Sequence, residues 1–198
     1  MREPLLIRVE TTPLARVRCD CLAASFFSDE RPLRGAAGRI DWRLCGQVTE
    51  ILASGLIAGH AREAVLLPGS RSLRADRVLL LGLGERRSLG QSEVQDAARE
   101  MVARSASLGA ARIALAPPVT DDDVARHADA LVAAALEALA GQDGRLELSL
   151  LLQQHDPSAT LQALDLAAAR RPGAVELRTP NEAQAPRLPA SPGVQPYA

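Results

Sequence analysis

The sequence predicts a three-layer α/β/α sandwich built on a mixed, mostly parallel sheet. Three observations carry that expectation. Apolar runs of strand length alternate with stretches of helical period from residue 64 to residue 152, a spacing that requires crossover connections. The runs "AVLLP" at 64–68 and "RVLLLG" at 77–82 are apolar without interruption, as expected of central strands covered on both faces. At 198 residues the chain is long enough for one domain with a sizeable core and too short for two ordinary ones with linkers.

Each element follows from a local signal. "LLIRV" at 5–9 and "LARVR" at 14–18 read as short strands on either side of Thr11, Thr12 and Pro13, and "CLAASFF" at 21–27 as a buried strand running into the polar loop "SDERP". A helix is expected from Asp41, which can cap the turn beginning at Trp42, to a stop at Gly55. Its apolar face is Leu44, Cys45, Val48, Ile51 and Leu52, which makes Cys45 a core residue. Ser92 and Gln95 have the spacing of a capping box for the next helix. Its stripe runs through Val94, Ala97, Ala98, Met101, Val102, Ser105 and Leu108 to Gly109. The strand "RIALA" follows at 112–116. Thr120 and Asp123 repeat the capping spacing before a helix whose face is Val124, Ala128, Leu131, Val132, Ala135 and Leu139, ending at Gly141. "RLELSLLL" at 145–152 is the last expected strand. Asp156 and Pro157 make an N-cap and N1 pair for a final helix burying Leu161, Leu164 and Ala168.

Composition changes from Pro172 onward, where six of the 13 prolines fall in the last 27 residues. The expected division is therefore one α/β domain over residues 1–170 and a flexible Pro-rich tail over residues 171–198, extended and available as an interaction segment.

Charge and composition exclude several function classes. A formal net charge of -1 supplies no field for a polyanion, and no arginine cluster is interleaved with stacking aromatics, so no nucleic-acid partner is expected. All 23 basic residues are Arg; without Lys, Schiff-base chemistry and lysine-dependent phosphate or metal sites are excluded. Cys19, Cys21 and Cys45 are odd in number and follow no secretory signal, which points to a reducing cytoplasm and not to a disulfide framework. Arg8 and Glu10 interrupt the N-terminal apolar run well short of the roughly 20 residues of a spanning helix, so no membrane partner is expected.

The stretch that most looks like a ligand site is "RVLLLGLGERRSLGQ" at 77–91. Gly82 and Gly84 stand at the end of a strand, where α/β sheets place ligands, with Arg86 and Arg87 close enough to meet an anion. The dinucleotide pattern G-x-G-x-x-G would need a third glycine where Arg87 stands, and a P-loop needs a lysine. Gly82, Gly84, Arg86 and Arg87 are the candidate ligand-binding residues; a tight turn accounts for the same glycines without any ligand. No metal site is expected: "CDC" at 19–21 offers two thiolates, short of a tetrahedral set, and His60, His127 and His155 lie far apart. His127 falls at the edge of its helical stripe and is expected half-exposed. The carboxylates of "TDDD" at 120–123 suit a helix N-terminus. No G-x-S-x-G or other triad context occurs, so no catalytic residue and no cofactor are assigned.

The order of segments from residue 17 to about 140 resembles the N-terminal domain of the leucyl aminopeptidase family. The pieces that carry the resemblance are "LAASFFSDE", the helix from Asp41 to Gly55, "GLIAGH" and "LLGLGERR", with weaker similarity to the family's interdomain helix in "ALDLAAARRPGAVELRTPN". The resemblance implies a macro-domain-like fold. It does not imply peptidase activity, because the family's two-metal centre lies in a separate C-terminal domain that uses lysines and an "N-T-D-A-E-G-R-L" signature. This sequence has no Lys and its only Asn is Asn181, so no catalytic position carries over. The leading expectation is a non-catalytic, cytoplasmic interaction or regulatory module whose partner is another protein, such as a full-length aminopeptidase, or a second copy of itself. The alternatives are a nucleotide or phosphate binder using Gly82 to Arg87, and an accessory subunit of a separately encoded metallo-aminopeptidase.

Overall fold

A computed structural model describes residues 4–118, 121–140, 146–152 and 157–178. Seven strands among them form one sheet: β1 (Leu5–Glu10), β2 (Cys19–Phe26), β3 (Ala64–Pro68), β4 (Ala75–Gly82), β5 (Arg112–Leu115), β6 (Glu147–Leu151) and β7 (Val175–Arg178). Their order is β3-β4-β2-β5-β6-β1-β7. Every neighbouring pair is parallel except β3 with β4. The mixed, mostly parallel α/β sheet expected from the alternating pattern is therefore present.

Five helices cover it: α1 (Gly35–Arg43), α2 (Gln47–Ala53), α3 (Gln91–Ser107), α4 (Asp121–Ala140) and α5 (Ser158–Ala169). Alternation along the strands divides the core in two. One apolar cluster joins Ile7, Leu81, Ile113, Leu115 and Leu148 to Ala98, Met101, Leu131 and Leu164 of α3, α4 and α5. The other, on the opposite face, joins Leu22, Ala24, Val78 and Leu80 to Ala37, Ile40, Leu44 and Val48 of the α1 and α2 region. The stripes expected for α3 and α4 are buried as read, Leu108 of α3 being only partly so and Leu139 lying outside the described side chains. No helix among the described residues is long and apolar enough to cross a membrane.

Several local expectations are corrected. "LARVR" is not a strand: Leu14–Arg16 is a 3-10 turn, closed by the Arg16 N–H donating to Pro13 O at 2.8 Å. The reason is topological, since β1 and β2 run parallel with β5 and β6 between them and residues 11–18 must carry the chain back across the sheet. The helix expected from Asp41 to Gly55 is two helices, broken where Cys45 and Gly46 adopt φ of 56° and 85°. Asp41 does cap a helix, but it is α2: its Oδ1 accepts the N–H of Val48 at 2.9 Å and of Thr49 at 3.1 Å. The break also turns Cys45 out to solvent instead of into the core.

β3 is not central. It lies at the edge, and its run is apolar because Ala64 packs into one cluster and Val65 and Leu67 into the other, while Leu66 is left 45% exposed. α3 begins at Gln91, with Glu93 in place of Gln95 accepting the Gly90 N–H at 3.0 Å. His127 is buried, not half-exposed, and its Nδ1 has no hydrogen-bond partner among the described residues. Pro157 occupies the N-cap of α5 instead of N1, and Thr160 and Ala167 are buried there where Leu161 and Ala168 are only partly so. The domain does not end at 170, because Val175–Arg178 pair with Leu5–Arg8 as β7. Thr120, Gly141, Asp156 and residues 179–198 lie outside the described residues, as do the side chains of Asp121 to Asp123.

Candidate functional site

The glycine pair sits at the carboxyl end of β4, where its backbone is already committed. The Gly82 N–H donates to Glu63 O at 2.7 Å, the Leu83 N–H to Phe26 O at 2.9 Å and the Gly84 N–H to Gly59 O at 2.9 Å. A phosphate cradle needs amide N–H groups pointing at the ligand; these three point at carbonyls. Gly82 is required by close packing, since a Cβ there would lie 2.3 Å from His60 O. Gly84 is required by conformation, at φ +75°.

The two arginines are likewise engaged. The Arg86 N–H donates to Asp29 Oδ1 at 3.0 Å, its guanidinium pairs with Glu30 at 2.9 Å and its Cζ stands 4.6 Å from the centroid of the Phe27 ring. Arg87 pairs with Glu85 at 2.6 Å. The structure thus brings Gly82, Gly84, Arg86 and Arg87 into one turn and gives each a partner within the protein. The neighbouring segment 58–60 is pinned by Glu63, whose Oε2 accepts the N–H groups of Ala58, Gly59 and His60 at 2.9, 2.6 and 3.1 Å. These amide hydrogen bonds, led by that from Ala58, hold the Glu63 carboxyl below its usual pKa.

The "CDC" thiols do not converge on a metal. Cys19 packs in the cluster under α1 and α2, and Cys21 in the cluster under α3 and α4. Burial, reinforced by the nearby Cys21, pushes the Cys19 pKa up to about 12; burial also raises that of Cys21. Between them, burial alone would raise Asp20, but the Arg112 guanidinium and the amides of Arg112 and Ala111 outweigh it and hold the carboxyl low. Asp20 therefore ties β2 to β5. Among the described residues no three His, Cys, Asp or Glu side chains are grouped to hold a metal ion.

A more open site lies elsewhere, along α1. A groove of about 490 Å³ starts over the ends of β5 and β6, at Ala116, Leu151 and Leu152, and runs between α1 and the segment Thr11 to Ala15. It follows a topological reversal: the connection after β1 packs on the α1 face, whereas β6 is followed by α5 on the other. Such crevices at carboxyl ends are where α/β sheets receive ligands. Ala36, Arg39 and Arg43 recur at intervals of three and four on α1, so they line one helical stripe facing the groove. Trp42, the chain's single tryptophan, is 75% exposed at the rim, and Arg43 Cζ lies 5.2 Å from the centroid of its ring. Among the described residues no carboxylate lines the groove. The groove lay outside the sequence-based candidates; the signal that could have found it is a lone Trp on a helix between two arginines, at 39 and 43.

This strand order, with helices on both faces, defines a macrodomain-like α/β/α domain. A variant macrodomain from Oceanobacillus iheyensis with ADPR matches at a TM-score of 0.58 and 13% identity, over 83% of this chain and 94% of that one. Tomato leucine aminopeptidase matches at a TM-score of 0.63 and 16% identity, over 84% of this chain and 36% of that one. The pattern of the cytosol aminopeptidase family, N-terminal domain, matches residues 25–144, and the chain belongs to that family. A probable cytosol aminopeptidase from Pseudomonas syringae pv. tomato is 27% identical over 158 residues, 80% of this chain and 31% of the relative. The chain spans less than a third of the length of the curated relatives it matches first.

Proposed function

We propose that this chain works by binding and not by catalysis, as a cytoplasmic regulatory or interaction module of the cytosol aminopeptidase family. The groove along α1 is where a protein partner docks. The observation that carries the reading is Trp42: one of four aromatic residues in the chain, it is left 75% exposed beside an apolar floor. Aromatic anchors flanked by arginine dominate the energetics of protein interfaces. The guanidiniums of Arg39 and Arg43 suit a partner segment with an apolar side chain next to a carboxylate. The match to an N-terminal domain supports a role outside the peptidase chemistry itself. The partner class is a cytosol aminopeptidase, or a second copy of this chain.

A second reading is a small-ligand site in the same groove. It is favoured by the groove's start at the carboxyl ends of strands and by the ADPR of the Oceanobacillus iheyensis macrodomain. One pair of titrations separates the two. Calorimetry of the chain against a purified full-length cytosol aminopeptidase, and against itself by dilution, is expected to give heat that Trp42→Ala abolishes. ADP-ribose is expected to leave the emission of Trp42 unchanged. No heat with either protein, or heat that survives Trp42→Ala, sinks the docking reading; a saturable change in emission with ADP-ribose installs the second.

A further inference from the structure

The loop joining β3 to β4 carries a site of a different kind. It is braced along its length: the Gly69 N–H donates to Asp76 O at 2.8 Å, the Leu73 N–H to Ser70 O at 3.0 Å, and Arg74 O accepts the Cys19 N–H at 3.1 Å. Ser70 Oγ and Ser72 Oγ share a hydrogen bond of 2.6 Å, and the Ser72 hydroxyl donates to Arg43 O at the end of α1. Gly69 permits the close return of the chain, since a Cβ there would lie 1.7 Å from Ala75 O. The backbone of this loop therefore has little freedom.

Beside it opens a hollow of about 690 Å³ lined by Arg18, Arg71 and Arg74, with Ser70 and Asp76. Some arginines elsewhere are matched with acids, Arg86 with Glu30, Arg99 with Glu137, Arg112 with Asp20 and Arg171 with Asp129, and Arg31 and Arg77 donate to backbone carbonyls. Arg18, Arg71 and Arg74 have no carboxylate at ion-pair distance among the described residues. Among the described residues Asp76 is the one acid at the hollow, which sets three positive charges against one negative. Like charges held by a rigid loop around one concavity repel unless an anion enters, and the planar guanidinium fork matches phosphate oxygens in pairs.

We propose that Arg18, Arg71 and Arg74 form a binding site for the linked phosphates of a small ligand. The site is separate from the groove along α1 and does not depend on it. Its chemistry is shared by inorganic oligophosphates and by the phosphate chain of a nucleotide. Three guanidiniums outweigh the one carboxylate of Asp76, and their attraction grows with the charge of the ligand, which favours two or more phosphates over a single weakly charged group.

The test is calorimetry of the whole chain at low ionic strength with pyrophosphate, tripolyphosphate, ADP and a hexaglutamate peptide. Arg71 and Arg74 are exposed and make no side-chain hydrogen bond in the described structure, so the double variant R71A/R74A retains the fold; Arg71→Glu serves as a second variant. A control, R87A/R99A, removes the same charge from other surfaces. Pyrophosphate and tripolyphosphate are expected to bind, R71A/R74A to weaken them at least tenfold and the control less than twofold. ADP binding as tightly as pyrophosphate assigns the site to the phosphate chain alone; ADP binding more tightly assigns a nucleotide. No heat with either inorganic probe at millimolar concentration overturns the proposal. So does equal weakening in the control, or hexaglutamate binding as tightly as tripolyphosphate, because each reports diffuse charge attraction.

Discussion

Replacing Gly82 by alanine tests whether the glycine loop serves packing or a ligand. The new Cβ would lie 2.3 Å from His60 O, 2.8 Å from Gly59 C and 2.9 Å from Gly59 O. Relief requires a backbone shift of about 1 Å, because all three obstacles are main-chain atoms. Neither side moves freely: Gly82 pairs with Phe26 in the sheet and exchanges hydrogen bonds with Glu63 O and the Arg62 N–H, while Glu63 holds residues 58–60. Overpacking of this kind costs about 1–3 kcal/mol, and weakening a backbone hydrogen bond adds about 1 kcal/mol, giving about 2–4 kcal/mol in all. For a chain of this length each kcal/mol lowers Tm by about 2–4 °C, so thermal unfolding by circular dichroism should fall by about 4–16 °C without any ligand present. A Gly82→Ala protein melting within about 2 °C of the parent would refute the packing argument. It would return the glycine to the ligand reading.

Four further outcomes are expected of the same fold. Gly84→Ala meets nothing closer than 3.6 Å and should cost only the left-handed backbone term of about 1–2 kcal/mol, read by urea denaturation. Leu131→Ala, at a fully buried position of α4, should lose about 2–5 kcal/mol by the same assay, with the slope unchanged. The lowered pKa of Glu63 contributes stability that is fully present above its unfolded value near ~4.3 and is lost as pH falls through the lower folded value. Glu63→Gln should therefore flatten the acid limb of a pH-stability profile, and an unchanged limb would remove Glu63 from that role. With a thiol reagent at neutral pH, Cys45 alone should react in the native protein; Cys19, pushed up to about 12, and Cys21 should react only on unfolding.

Sequence periodicity resolved the elements that have a period of their own. α3 announces itself through seven positions on one stripe, and its stop at Gly109 is a glycine at φ +79°. β4 was legible because its buried half carries the unbroken apolar run 78–81, and β6 because leucines recur through 146–152 around Glu147 and Ser149. Residues 14–18 and 64–68 were misread for one common reason: an apolar run states that a segment is covered, not which neighbours cover it. "LARVR" lies against the core as a crossover, and "AVLLP" is only half-buried at the sheet's edge, with Leu66 left exposed.

The glycine loop shows the same limit at a site. Its composition fits a phosphate cradle and a packed turn equally, and the choice rests on whether amides point outward or at carbonyls. The segments that receive those bonds, around Phe26, Gly59 and Glu63, lie at least 19 residues away along the chain.

What the sequence determined by itself is the class of fold, the stripes of α3 and α4 and the absence of any lysine chemistry, because these are properties of residue type and short-range spacing. Tertiary structure alone decided the strand order, the pairing of Arg86 with Glu30, the exposure of Trp42 and the gathering of Arg18 with Arg71 and Arg74. Those depend on distances between residues remote in the chain, and such distances are set only once the two core clusters have closed on either side of the sheet.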